Sequence, residues 1–212
     1  MDAPRSPAGG ETIPIEWTEE SDLALLRRLG DGDTRALELI IRRWSPRLSS
    51  FVYRLTGDAE AVEDVVQESF IRLHAARATA AEVQNFSAWI HTIARRLVLD
   101  RVRTARRRPV RLASEQVPLG GQTTTLFGRI PDNAPTPSTC ASNLELLARL
   151  DEALQGVPEI YREAVVLCDL QCLSYDEAAA VLGVPRKTVS SRLARGRDAL
   201  RQRMAQHRSG LL

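Results

Sequence analysis

The residues best suited to chemistry on a polyanion lie near the end of the chain, in LSYDEAAAVLGVPRKTVSSRLARGRDALRQRM, from Leu173 to Met204. Ser174 followed three residues later by Glu177 predicts a capping box that starts a short helix. Gly183 predicts a left-handed stop, Val184 a corner residue, and Pro185 the opening of a second helix. Val189, Leu193, Gly196, Leu200 and Met204 recur at helical spacing and form its inward stripe. The other faces carry guanidinium, ammonium and hydroxyl groups. Two helices across a glycine turn, with a basic second N-terminus, describe a helix-turn-helix that reads DNA in the major groove. The first turn would set Arg186, Lys187, Thr188 and Ser191 toward base edges, with Arg192 and Arg195 nearer phosphate.

A second basic stretch runs from Arg95 to Arg111, where eight arginines face the single acid Asp100. A helix dipole accounts for a few cations at a C-terminus; this many point to a polyanion partner. Acids gather instead between Glu11 and Glu68, so the formal net charge is only +2 although the two signs are segregated, which suggests two kinds of partner surface. Lys187 is the only lysine.

Other chemistry is thinly represented. His74, His91 and His207 are scattered, and no HExxH, Gly-rich phosphate loop or nucleophile elbow occurs, which argues against an enzyme. Cys140, Cys168 and Cys172 are odd in number. Cys168 and Cys172 would share a helical face if their helix ran on through Leu173, but two thiols alone make an incomplete zinc site. No cofactor or metal is expected. No stretch has the length or apolarity of a signal peptide or membrane helix, so the expected location is cytoplasmic, without membrane insertion.

The elements that must position these groups read as helices throughout. Residues 1–17 mix Pro, Gly and small side chains without period and predict a disordered leader. A short helix begins around Thr18 to Ser21 and stops in Gly30-Asp31-Gly32. Asp33 or Thr34 caps a longer one whose stripe includes Ile40, Trp44, Leu48, Phe51 and Leu55, with Pro46 inside it. A third runs from about Ala59 to Ala76, with Glu60, Glu63, Asp64, Gln67 and Glu68 as a polar ridge. A fourth, capped by Ser87, carries Trp89, Ile90, Ile93, Ala94, Leu97 and Val98 inward, and Arg95, Arg96, Arg103, Arg106, Arg107 and Arg108 outward.

Prolines, Gly120-Gly121 and threonines then erase the period over 109–142, predicting a flexible linker. Its r.m.s. span would be about 30 Å, comparable to one turn of DNA at about 34–36 Å. A second domain, 143–206, opens with a helix expected to turn Leu144, Leu147, Leu150 and Leu154 inward, breaks at Gly156-Val157-Pro158, and continues from Glu159 to about Cys168. Residues 207–212 form a tail. The expected fold class is all-α: two small helical domains, 18–108 and 143–206, joined by a flexible linker, the second bearing the helix-turn-helix.

In this order the motifs resemble bacterial sigma-70-type transcription initiation factors of the extracytoplasmic-function (ECF) group, over roughly Leu23 to Met204. VEDVVQESFIRLH, from Val62 to His74, resembles the segment that grips the clamp helices of the RNA polymerase beta-prime subunit; the resemblance implies core binding by Glu63, Asp64, Gln67 and Glu68. FSAWIHTIARRLVLDRVR, from Phe86 to Arg103, resembles the segment that melts and reads the minus-ten element, which implies DNA contacts by Phe86, Arg95, Arg96, Arg103 and Arg106. A ring such as Phe86 or Trp89 can stack on an unpaired base, and the same spacing equally fits core packing. The helix-turn-helix resembles the minus-thirty-five reader. The resemblance also implies the flap of the polymerase beta subunit and an anti-sigma factor as partners. Two positions depart from the family pattern: Arg96 stands where Asn is common, and Ser190 where Lys is common. A guanidinium only donates whereas an amide also accepts, which leaves the captured minus-ten base open. The competing reading is a stand-alone helix-turn-helix repressor or activator that binds duplex DNA without polymerase.

Overall fold

A computed structural model of the chain describes residues 20–107 and 137–209. The leader 1–17 and most of the expected linker and tail lie outside the described residues. Among these residues all regular structure is helical: α1 (Asp22–Gly30), α2 (Thr34–Thr56), α3 (Ala59–Ala75), α4 (Phe86–Arg107), α5 (Pro137–Gln155), α6 (Glu159–Val165), α7 (Tyr175–Leu182) and α8 (Arg186–Ser209). Helix α5 begins at Pro137, ahead of the helix start expected near Asn143.

Local chemistry starts and stops these helices. The Ser21 hydroxyl takes the Ala24 amide, Asp33 takes that of Arg35, and Asp58 takes those of Glu60 and Ala61, so each side chain satisfies otherwise orphaned helix donors. Gly57, at φ 70°, ends α2 in the left-handed conformation. The cap of α4 is Asn85, whose Oδ1 accepts from the Ala88 amide at 2.8 Å. Ser87 lies inside the helix, where its carbonyl meets the His91 ring. Asn outcompetes Ser here because it stands one residue ahead of the first helical residue, with its amide oxygen in reach of the third.

The helices α1–α4 bury Leu25, Leu26, Leu29, Ile40, Trp44, Leu48, Phe51, Leu73 and Ile90 at 0–1% exposure. Trp44 meets Phe86 edge-on at 5.1 Å, and Phe51 meets His91 at 4.8 Å. The helices α5–α8, with the turn that follows α6, bury Leu154, Ala164, Val165, Leu167, Ala178, Val189 and Leu193, and the two groups merge into one continuous apolar cluster. Not every expected core residue is there. Leu147 is 46% exposed rather than inward, because α5 packs only through its C-terminal half, where Ala153 and Leu154 are buried.

After α6 the chain widens into a π turn, Val166–Leu170, closed by the Gln171 amide on the Val166 carbonyl at 2.9 Å. Cys172 follows at φ 58° and turns the chain toward α7. The helix therefore ends before Cys172, and the two thiols do not line up on one helical face. Cys168 is half-buried, and burial pushes its thiol up to about 11, while Cys172 is exposed.

A candidate nucleic-acid and polymerase interface

The helix-turn-helix forms as its local chemistry dictates. The Ser174 hydroxyl accepts the Glu177 amide at 3.3 Å, and a Glu177 carboxylate oxygen accepts the Ser174 amide at 2.6 Å. The second bond, from a backbone donor to the carboxylate, contributes most to holding the Glu177 carboxyl below its ordinary range; the Ser174 hydroxyl and Asn85 add to it. Gly183, at φ 67°, closes α7 by donating to the Ala179 carbonyl. Pro185 sits one residue ahead of α8, and its carbonyl takes the first helical bonds from Thr188 and Val189. Val189 and Leu193 are buried. Gly196 lies so close to α6 that a Cβ there would stand 2.6 Å from Val165 Cγ2 and 2.8 Å from the Tyr161 carbonyl oxygen.

The predicted DNA-facing side chains of α8 emerge on its free side. Arg186, Lys187, Ser191 and Arg195 are exposed, and Thr188 and Arg192 are half-buried. Arg186 lies 3.7 Å from Asp176, an exposed pair of little energetic weight. Arg195 donates to the Tyr161 hydroxyl at 3.3 Å and lies over its ring. Farther along, Arg197 is gripped by both oxygens of Asp169, at 2.9 and 2.6 Å.

Along α3, Glu63, Asp64 and Gln67 are exposed and Glu68 is half-buried. Asp64 accepts from Arg101 of α4 at 2.8 Å, and Glu68 from Arg72 at 2.9 Å. Beside this ridge an open groove of about 920 Å³ runs between α2 and α3. Leu37, Ile41, Val62, Val66, Phe70 and Ile71 floor it, and Glu63, Gln67 and His74 rim it. Ile71 is 55% exposed. Periodicity assigns Leu37 and Ile41 of α2 and Val62, Val66 and Phe70 of α3 to core-facing stripes and leaves Ile71 unplaced; only Phe70 is buried, and the other four are half-buried along the groove.

The predicted minus-ten residues of α4 separate. Arg96 and Arg103 are exposed, and the Arg106 side chain lies outside the described residues. Phe86 is buried at 3%, wedged against Trp44 and Trp89. It is therefore a core residue in this arrangement, since as the first residue of α4 it faces α2 across the helix pair. Arg95 is held by α6 of the second unit: Nε donates to Glu163 Oε1 at 2.7 Å and Nη2 to Oε2 at 3.1 Å. Glu163 is itself buried. An acid among Ala164, Val165 and Val166 is an anomaly that the sequence displays, but its partner is not legible there.

Two four-helix units, the second built around a helix-turn-helix and the first bearing an arginine-rich helix, define a transcription factor that engages DNA at two places. Family comparison carries this further. Residues 40–108 match Sigma-70 region 2, and residues 147–200 match Sigma-70 region 4. The chain is 37% identical over 204 residues to the ECF RNA polymerase sigma factor SigE of Mycolicibacterium smegmatis, covering 92% of this chain and 73% of that one. It is 32% identical over 182 residues to the ECF RNA polymerase sigma factor SigC of Mycobacterium tuberculosis, covering 86% and 90%. Among solved structures it is similar to CnrH in complex with the cytosolic domain of CnrY, with a TM-score of 0.59, 26% identity, and coverage of 86% of this chain and 96% of that one. The fold is also that of the Bartonella quintana sigma factor RpoE, solved with the anti-sigma factor NepR, at TM-score 0.57, 23% identity and coverage of 79% and 96%. The chain belongs to the ECF group of sigma-70-type sigma factors, and it is a transcription initiation factor that directs RNA polymerase to promoters.

Proposed function

We propose that residues 18–108 grip the polymerase core and hold the melted minus-ten strand, while residues 143–206 read the minus-thirty-five element, with 109–142 joining them. Core binding is assigned to the groove between α2 and α3. The observation that carries this is an apolar floor, including the exposed Ile71, beside exposed Glu63, Asp64 and Gln67. Apolar side chains from the beta-prime clamp helices fill the floor, and basic residues beside them meet the acidic rim, the arrangement of a helix-in-groove interface. Strand binding falls to Arg95, Arg96, Arg103 and Arg106 of α4. Phe86 joins them only where α4 shifts enough to release it from Trp44.

Arg186, Lys187, Thr188 and Ser191 read base edges in the major groove, and Arg192 and Arg195 anchor the phosphates. The mechanism is recruitment and positioning in the cytoplasm, with no bond made or broken by this chain. The beta flap holds the second unit, and an anti-sigma factor restrains the whole. No helix among the described residues is long and apolar enough to cross a membrane.

Transcription in vitro tests the reading. Purified protein is added to sigma-free core polymerase on a pool of genomic promoter fragments, and the transcripts are sequenced. Start sites sharing two upstream elements are the expected result. Silence together with tight, polymerase-independent duplex binding would replace it with the repressor reading.

A further inference from the structure

Helix α4 carries more cations than it leaves available. Arg95 gives its guanidinium fork to Glu163, at 2.7 and 3.1 Å, and Arg101 donates to Asp64 of α3 at 2.8 Å. Arg103 stands 3.6 Å from Asp100, both of them exposed, a contact that water and salt readily exchange. Arg96 is exposed, and no hydrogen bond or ion pair joins it to any of the described residues. Its planar fork has five donors and no acceptor. That fork is presented whole to whatever lies on its face of the helix.

The same face is laid out for a nucleotide. Trp89, Arg96 and Arg103 recur at seven-residue spacing, so they share one side of α4, about 10.5 Å apart along its axis. Helical side chains lean toward the N-terminus of their helix, which carries the Arg96 guanidinium back toward Trp89 and leaves Arg103 beyond it. Trp89 is half-buried, its ring set at a steep angle to that of Phe86 with centroids 6.2 Å apart, so it stands as a fixed aromatic wall partly open to solvent. Between the two lie Ile93 and Thr92, both half-buried, and the Thr92 hydroxyl is spent on the Ala88 carbonyl at 2.7 Å. A base lodged against this wall meets the donors of Arg96.

We propose that Arg96 is the specificity-determining residue for one minus-ten base, and that it selects a base with two adjacent acceptors. Guanine offers O6 and N7, and an unpaired cytosine offers O2 and N3. The proposal rests on the assignment of α4 to the minus-ten element. A guanidinium sends out two parallel N–H groups and needs two neighbouring acceptors to satisfy them. Adenine sets a donor beside N7, and thymine sets N3–H beside O4. With either of these, one donor of the fork would face a hydrogen and go unpaired beside the indole. An asparagine here, with one acceptor and one donor group, would take adenine instead. Phosphate oxygens accept in every sequence alike, and Arg103 with the arginines that follow it in sequence already serves them.

The test is core-dependent transcription by the full chain, with the minus-ten element randomised in an otherwise fixed promoter and the transcripts sequenced. The parent is compared with Arg96→Ala, Arg96→Lys and Arg96→Asn. The parent is expected to favour guanine or cytosine at one position by about tenfold; which of the two it is tells whether the fork meets a Hoogsteen or a Watson–Crick edge. Arg96→Ala is expected to flatten that position alone. Arg96→Lys is expected to flatten it while keeping total output, since an ammonium retains the charge and loses the fork. Arg96→Asn is expected to turn the position toward adenine.

A uniform fall over all sequences in Arg96→Ala, restored by Arg96→Lys, identifies a phosphate contact and overturns the proposal. A position that responds to Arg96→Ala but favours adenine or thymine in the parent overturns it too. A minus-ten preference that is present and insensitive to Arg96 removes this inference and leaves the strand assignment standing. Transcription without any minus-ten preference in the parent removes both.

Discussion

His91 is the residue whose protonation the fold resists most plainly. Burial pushes its pKa down, and the nearby Arg47 lowers it further; the Ser87 carbonyl at 2.7 Å, Gln171 and the Glu177 carboxylate act in the opposite direction without reversing the shift. The unfolded chain takes up this proton near pH 6.5 while the native state still refuses it, so stability falls as pH drops from about 6.5 toward the lowered native value. Glu177 is also depressed, and its contribution, present above its ordinary range near 4.5, is lost as pH falls further. Urea midpoints measured from pH 8 down to about pH 2.5 are expected to decline in two stages, and His91→Phe is expected to flatten the upper one.

At the same scale, the two classes of DNA contact on α8 are separable. Arg186→Ala is expected to relax preference at one base pair of the upstream element, worth about 1–3 kcal/mol of discrimination. Arg192→Ala should weaken all sequences alike and reduce the salt slope by about one. Binding titrations with single-base variants of the element, repeated at several salt concentrations, check both.

Each helix boundary near the site rests on one or two residues, and these set what the elements tolerate. Gly196 brings α8 against α6, and an added methyl group would meet the Tyr161 carbonyl oxygen as well as the Val165 side chain. Backbone cannot rotate away as a side-chain tip can, so Gly196→Ala is expected to destabilise the second unit by about 1–3 kcal/mol. Ser174→Ala removes one half of the capping box and is expected to cost about 1 kcal/mol. Gly183 is a different case, because open space surrounds it and only its φ of 67° penalises a side chain. Thermal denaturation of Gly196→Ala, Ser174→Ala and Gly183→Ala ranks these mechanisms. A stable Gly196→Ala protein would mean that α6 and α8 slide apart easily.

For the whole molecule, charge segregation becomes a division of labour: an acid-rimmed apolar groove on α2 and α3, and arginine-rich surfaces on α4 and α8. A net charge of +2 conceals this separation, because 29 basic and 27 acidic residues nearly cancel over the whole chain. Ile71 reports on the groove without disturbing the fold. Being 55% exposed, it tolerates Ile71→Asp with a stability change within about 0.5 kcal/mol. The same change sets a charge against an apolar partner and is expected to weaken core-polymerase binding by tenfold or more, about 1.4 kcal/mol. Co-purification with core and a melting curve, taken together, separate that outcome from simple unfolding.

Much of this protein was legible in its sequence because helix punctuation is local. Ser21, Asp33, Asp58, Gly57, Ser174 with Glu177, and Gly183 act on partners within five residues, and each does so here. The all-α class, the helix-turn-helix and its exposed basic N-terminus follow from such short-range rules and from helical period. Tertiary structure decided what lies across a helix. It buried Phe86 against Trp44, left Leu147 in solvent, chose Asn85 over Ser87 as a cap, and opened the groove beside the acidic ridge. It also paired Arg95 with Glu163, 68 residues away, and Asn85 with Glu177, 92 residues away. The physical reason is that a periodic pattern states which face of a helix prefers burial, whereas the partner on that face is set by how separate helices pack against one another.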